Sequence, residues 1–134
     1  IEGKEIRLYI PRKTDYTKIA PYVESFLVEI YRMESKRYLP GRGRELAERF
    51  GFRYGELSFR NNISNWGSCS AEDNISLNVK LMKLPDEIID YVILHELCHT
   101  IEKNHSSSFW ALMKKVCPEC MQLRRRLHQY NTRI

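Results

Sequence analysis

The sequence lacks any long apolar run. None of its 134 residues belongs to a stretch that approaches the ~18 consecutive apolar residues of a membrane-spanning helix. It also lacks the basic and then apolar segment that opens a secretory signal peptide. The composition, 43% hydrophobic and 29% charged, is typical of a soluble globular protein. We therefore expect no membrane partner.

The sequence has four cysteines, and their spacing does not suggest the disulfide framework of a small secreted protein. Cys117 and Cys120 form a C-x-x-C pair, but a structural zinc site would need a second such pair, which the sequence does not contain. A redox C-x-x-C usually follows a strand, whereas this pair lies between two helical patterns. We interpret these two cysteines, together with Cys69 and Cys98, as reduced thiols, which favours the cytoplasm.

The length fits one compact domain, residues 1–134. The sequence begins at Ile1 rather than Met, so we expect the C-terminal portion of a longer protein. The net charge of +5 comes in part from the cluster Arg124–Arg126. Such a cluster is most often a solvated helix face, and a nucleic-acid partner is the weaker interpretation.

Apolar periodicity predicts an α+β arrangement in which a small antiparallel sheet precedes the most informative helix. Pro40 and Gly41 are expected to end the first helix, and Gly51 to end the second. Gly67, inside a strand, indicates a bulge or a close approach of another group to the backbone. Strands are predicted over residues 5–10, 53–60, 63–69 and 74–79, and helices over residues 20–37, 44–50, 85–104, 109–116 and 118–130.

One motif contains the residue types of a catalytic metal site. The residues from His95 to His99 match H-E-x-x-H on a predicted helix, where a spacing of four residues puts both imidazoles on one face. Neutral imidazole is a favoured zinc ligand, and zinc lowers the pKa of bound water towards about 7. Glu96, beside the first ligand, is then placed to accept a proton from that water as general base.

A catalytic zinc needs a third protein ligand, and His105 is the preferred candidate. It follows His99 by six residues, which is the spacing of the third histidine in the metzincin signature. Glu102 stands where that signature has glycine, so we expect Asn104 to provide the turn in a left-handed conformation. Glu119 is the alternative third ligand. The remaining histidine, His128, is interpreted as a surface residue.

Several separated motifs occur in a fixed order. They are Tyr38-Leu39-Pro40-Gly41, Asn65-Trp66-Gly67-Ser68-Cys69-Ser70, Ile75-Ser76-Leu77-Asn78, the stretch from Asp90 to His99, Asn104-His105-Ser106 and Phe109-Trp110. In this order and spacing, from Tyr38 to the C-terminus, the chain resembles the YgjP-like metallopeptidase domain, a relative of the WLM and SprT-type zincins.

The resemblance implies a zincin-like α+β fold with one zinc ion per chain. It maps the three histidine ligands onto His95, His99 and His105 and the catalytic glutamate onto Glu96. The strand that contains Trp66 should lie near the metal cleft. Many members have a basic residue where this chain has Asn65, and they carry a further N-terminal β-rich region that is largely absent here.

We therefore expect hydrolysis of a peptide bond in a peptide or protein substrate. Asn78, His128 and Tyr130 are candidates for stabilising the oxyanion, and the sequence does not choose among them. Two alternatives stay open: hydrolysis of a nucleotide phosphoanhydride, and a nucleic-acid-associated protease or binding module. The sequence contains no Gly-rich phosphate loop, which disfavours the first.

Overall fold

The computed structural model describes residues 7, 9–12 and 15–132. Residues 5, 6 and 8 of the strand predicted over residues 5–10 lie outside this part of the chain, and Arg7, Tyr9 and Ile10 have no regular secondary structure. The elements are α1 (Tyr16–Phe50), β1 (Leu57–Arg60), β2 (Gly67–Cys69), β3 (Ile75–Asn78), a 3₁₀ helix (Val79–Lys83), α2 (Asp86–Cys98), α3 (Ser107–Val116) and α4 (Cys120–Leu127).

The first two predicted helices form one continuous helix, so the predicted end at Pro40 and Gly41 is wrong. A proline inside a helix removes one backbone hydrogen bond, but packing can outweigh that loss. Leu39 beside it is fully buried, and Ser35, one turn earlier, is buried and donates its hydroxyl to the carbonyl oxygen of Val79 at 3.3 Å. α1 ends where predicted, at Gly51, whose φ of 76° is the left-handed conformation that favours glycine.

The sheet has three strands in the order β1-β3-β2. β2 and β3 are antiparallel and joined by the predicted hairpin, in which the Asp73 amide donates to the carbonyl of Ser70. β1 pairs with β3 in parallel, so the prediction of a wholly antiparallel sheet is wrong. The chain between β1 and β2 crosses the end of β3, where the Asn78 side-chain amide donates to the carbonyls of Asn62 (2.8 Å) and Asn65 (3.0 Å). This crossing puts β1 and β2 on opposite edges of β3.

α2 is the central helix of the core. It packs against α1, the sheet, α3 and α4, and most of its side chains are buried, including Ile88, Ile89 and Leu97 at 0% exposure. Pro85 and the acidic residues Asp86 and Glu87 begin the helix, as such residues commonly do. Because the core surrounds α2, the few polar side chains on it are held in fixed positions. Within the described residues, no helix is both long and apolar enough to cross a membrane.

Candidate metal centre and active-site cleft

Three histidine side chains converge at the C-terminal end of α2. The Nε2 atom of His105 lies 3.1 Å from Nε2 of His95 and 3.1 Å from Nε2 of His99. The three candidate ligand atoms lie within 4.8 Å of one another, and within the described residues no other group of three or more His, Cys, Asp or Glu residues meets this condition. Three imidazole nitrogens around one point are a suitable donor set for a transition-metal ion.

The turn after α2 brings the third histidine back to the helix. α2 ends at Cys98, so the prediction that it extends to residue 104 is wrong. The Thr100 hydroxyl donates to the carbonyl of Leu97 at 2.6 Å, and such local bonds compete with continuation of a helix. Among the described residues other than glycine, only Asp73 has a positive φ, so the left-handed conformation expected of Asn104 is also wrong.

The imidazole of His99 is oriented by a hydrogen bond within that turn. Its Nδ1 lies 2.9 Å from the carbonyl oxygen of Glu102, which requires Nδ1 to carry the proton. The lone pair of Nε2 then points towards the other two histidines. A backbone carbonyl on the second ring nitrogen is a common way to fix the tautomer of a metal ligand.

His105 lies on the exposed side of the group and is supported by aromatic rings of α3. It stacks with Phe109 (ring centroids 5.0 Å apart, planes at 25°) and with Trp110 (6.1 Å, 27°). Ser106 caps α3 by accepting a hydrogen bond from the Phe109 amide, as predicted for this serine-rich segment. The cap and the stacked rings therefore hold the turn that presents His105.

His95 is half-buried and packs against the rings of Tyr91 and Phe109. Burial lowers its pKa to about 3, and the neighbouring His99 and His105 act in the same direction. Its Nδ1 is buried and, within the described part of the chain, has no hydrogen-bond partner. A neutral imidazole whose Nε2 points at two others cannot readily accept a proton, but it can donate a lone pair to a cation. The donor set therefore fits a metal ion.

Glu96 lies beside this group, on the face of α2 that packs against β2. It is only 5% exposed, and burial raises the pKa of its carboxyl to about 8. A Cβ added at Gly67 would lie 3.0 Å from Oε2 of Glu96 and 3.1 Å from its Cγ. The predicted close approach at Gly67 is therefore confirmed, and the approaching group is the carboxylate side chain of Glu96.

A cleft of about 380 Å³ opens next to His95 and Glu96. Trp66 and Gly67 form one wall, which agrees with the expected position of that strand. Arg124, His128 and Tyr130, from α4 and the residues after it, form the opposite wall. Arg124 was not identified from the sequence, because its place in the cleft depends on how α4 packs against α2 and no local pattern signals that.

The other candidate residues lie elsewhere or have ordinary roles. Glu119, the alternative third ligand, precedes α4 and lines a separate groove between α1, α2 and α4. Asn78, a candidate oxyanion residue, is 1% exposed and binds backbone carbonyls of the chain that crosses the sheet. His128 is exposed, as predicted, but it also lines the cleft.

The four thiols are free. Cys98, Cys117 and Cys120 are buried, whereas Cys69 is only half-buried. Burial raises the pKa of Cys98 to about 12 and that of Cys117 to about 11, so both are poor nucleophiles at neutral pH.

A small sheet packed on a helix that carries two histidines and a glutamate, with a third histidine on the following turn, is the arrangement typical of metal-dependent hydrolases. The chain belongs to the YgjP-like metallopeptidase domain family, because the sequence model of this family matches residues 2–130. No match is found among curated proteins.

Two solved structures share the fold. The metallopeptidase zymogen of Pyrococcus abyssi abylysin is 25% identical, with a TM-score of 0.58 over 65% of this chain and 89% of its own. The metallopeptidase zymogen of Methanocaldococcus jannaschii jannalysin is 21% identical, with a TM-score of 0.56 over 65% of this chain and 90% of its own. The predicted zincin-like α+β fold is confirmed, and the chain is a metal-dependent peptidase domain.

Proposed function

We propose that this domain is a zinc-dependent peptidase that holds one zinc ion through His95, His99 and His105. The observation that carries the proposal is the convergence of three Nε2 atoms within 4.8 Å on neighbouring elements. Neutral imidazoles in this number are typical ligands of catalytic zinc, which keeps a further position open. Zinc, when bound, would lower the pKa of water and polarise the carbonyl of the substrate.

Glu96 acts as general base in this proposal. A cation held by the three histidines would favour the ionised form of this carboxyl. One of the carboxylate oxygens then takes a proton from the attacking water and later gives it to the nitrogen of the leaving amine. Its burial against Gly67 keeps the carboxylate out of bulk water and fixes its position beside the histidines. A base that is held in place in this way loses little entropy when the reaction begins.

The sheet offers a place for an extended peptide. Within the described residues β2 pairs with β3 on one side only, so its other edge has unpaired backbone groups next to the cleft. Addition of a substrate strand to an exposed edge is a common mode of peptide recognition. The peptide or protein substrate is therefore proposed to lie along β2, with its scissile bond between Glu96 and the histidines.

The test is hydrolysis of a mixture of quenched fluorescent peptides by zinc-loaded protein and by Glu96→Gln. We expect the variant to keep its zinc and to lose about 10²- to 10⁴-fold in rate, the usual contribution of a general base. Glu87→Gln is the matched control, because Glu87 lies on the same helix and forms an ion pair with Arg126 away from the cleft. Retained turnover in Glu96→Gln would remove Glu96 as the base.

Hydrolysis of a nucleotide phosphoanhydride is the second candidate, and one observation favours it. Arg124 places a positive charge in the cleft, where it would suit phosphate. Release of phosphate in a screen of nucleotides separates this activity from peptide hydrolysis.

The nucleic-acid alternative has less support. Arg124 faces the cleft while Arg126 pairs with Glu87, so the arginine cluster is not one continuous surface. Absence of a gel shift at low salt would end this alternative. The cytoplasmic location predicted from the cysteines stays a prediction.

A further inference from the structure

Arg124 differs from the other arginines of α4 in its surroundings. It lines the cleft that His95 and Glu96 also line, and its guanidinium carbon lies 5.4 Å from the ring centroid of Trp110. Arg126, two residues later, forms an ion pair with Glu87 at 3.0 Å. Within the described residues no acidic side chain pairs with Arg124.

A guanidinium that stacks on an aromatic ring keeps its N–H groups free for a planar anion. Trp110 also stacks with His105, so the arginine and the histidine group are supported by the same indole ring. The guanidinium of Arg124 is therefore exposed to solvent beside the reaction site, and within the described residues it has no acidic partner. An anionic part of the substrate is the missing partner.

The position of Glu96 indicates which end of the substrate reaches Arg124. Glu96 has to give a proton to the leaving amine, so the leaving part of the peptide lies on its side of the histidines. The cleft that contains Arg124 is lined by Glu96 and His95 but not by His99 or His105. The wall formed by α4 therefore faces the leaving part, which runs from the new amine towards the C-terminus.

The size of the cleft suits a short leaving part. Its volume of about 380 Å³ is near the lower end of the range of roughly 300–1,000 Å³ for small-molecule sites. A leaving part of one or a few residues carries one obligatory anion, its terminal carboxylate. Arg forms paired hydrogen bonds with such a planar group.

We infer that Arg124 binds the free C-terminal carboxylate of the substrate, so that the enzyme preferentially cleaves short peptides close to their C-terminus. This inference rests on the proposed peptidase function. Arg124 is then a specificity-determining residue, which selects peptides by their free terminus.

The first experiment compares pairs of short peptides that differ only in having a free carboxylate or a C-terminal amide. We expect wild type to cleave the acid with a kcat/KM about 10- to 100-fold higher, the range expected for a hydrogen bond to a charged group. In Arg124→Met, kcat/KM should fall on the acid and hardly change on the amide, so that the preference is lost. Arg124→Lys, which keeps the charge but not the paired geometry, should keep part of it.

Arg125→Met is the matched control, because Arg125 is the next residue of the same helix and does not line the cleft. It should keep the full preference. Zinc content and thermal unfolding, measured on every variant, show whether the metal site and the fold are intact. Equal kcat/KM of wild type on acid and amide would overturn the inference. It would also be overturned if Arg124→Met lowered kcat/KM equally on both peptides.

A binding experiment separates this inference from the proposed function. Calorimetry with zinc-loaded Glu96→Gln measures binding of the dipeptide alanyl-phenylalanine, its amide and inorganic phosphate. We expect the acid to bind at least about tenfold more tightly than the amide, and Arg124→Met to remove the difference. No difference between acid and amide, or tighter binding of phosphate, would overturn the inference. Absence of peptide hydrolysis by wild type would instead end the proposed function, and this binding result would still decide the role of Arg124.

Discussion

Replacing Gly67 by alanine should damage catalysis without removing the metal. The added Cβ would lie 3.0 Å from Oε2 of Glu96, 3.1 Å from its Cγ and 3.3 Å from its Cδ. Comfortable contacts between such atoms are about 3.5–4.0 Å. Gly67 is held in β2 by its pairing with Leu77, so the side chain of Glu96 has to move by a few tenths of an ångström.

This displacement sets the expected magnitude. A misplacement of about 1 Å can cost about 100-fold in rate, so a shift of roughly a third of that size should lower kcat about fivefold. The three nearest atoms to the added Cβ all belong to Glu96, so the change acts first on that side chain, and zinc content should stay at the wild-type level. A larger side chain at position 67 should have a larger effect.

The assay is kcat on a fluorescent peptide, together with zinc content and thermal unfolding. Gly41→Ala is the matched control, because a Cβ at Gly41 would meet no atom within 4 Å apart from its chain neighbours and the backbone of its own helix. The control should keep full activity and gain about 0.5–1 kcal/mol in stability, since alanine is the better helix residue. An unchanged kcat in folded, zinc-loaded Gly67→Ala would refute the reasoning.

Two further predictions concern stability. Arg42 binds Asp90 through two hydrogen bonds (2.8 and 2.6 Å) that join α1 to α2. Asp90→Asn should therefore lower the free energy of unfolding by about 1.5–3 kcal/mol, measured by urea denaturation. A change below about 0.5 kcal/mol would contradict this. A hydrogen bond to its own backbone and one from Arg126 lower the pKa of Glu87. The ionised carboxylate therefore stabilises the fold above its unfolded pKa of about 4.3, and this contribution is lost as the pH falls through the lower folded pKa. Because the ion pair is exposed, Glu87→Gln should lower the free energy of unfolding by only a few tenths of a kcal/mol at pH 7, and by nothing at about pH 2. A difference in unfolding free energy between wild type and variant that grows on acidification would contradict the assignment.

The sequence predicts the elements of this site better than their assembly. His95 and His99 share a helix face because of the four-residue spacing, and His105 follows after a short turn, so local geometry brings all three near one point. Gly67 was recognised as a place of close approach from its position inside a strand. Such features depend on neighbours in the sequence, and a reading of the sequence can therefore find them.

Features that depend on distant packing were missed or wrong. Pro40 predicts a helix end, but burial of Leu39 beside it keeps α1 continuous. The parallel pairing of β1 follows from a chain crossing that is held by the side chain of Asn78. Arg124 reaches the cleft only because α4 packs against α2, almost 30 residues away in sequence. None of these arrangements leaves a periodic signal in the residues concerned.

The central claim is that three histidines hold one catalytic zinc ion. The most direct measurement is metal content by mass spectrometry on purified protein, with wild type beside His105→Ala, Glu119→Gln and His128→Ala. We expect about one zinc per chain in wild type, in Glu119→Gln and in His128→Ala, and strong loss in His105→Ala. No zinc in wild type after incubation with the metal, or full retention in His105→Ala, would contradict it.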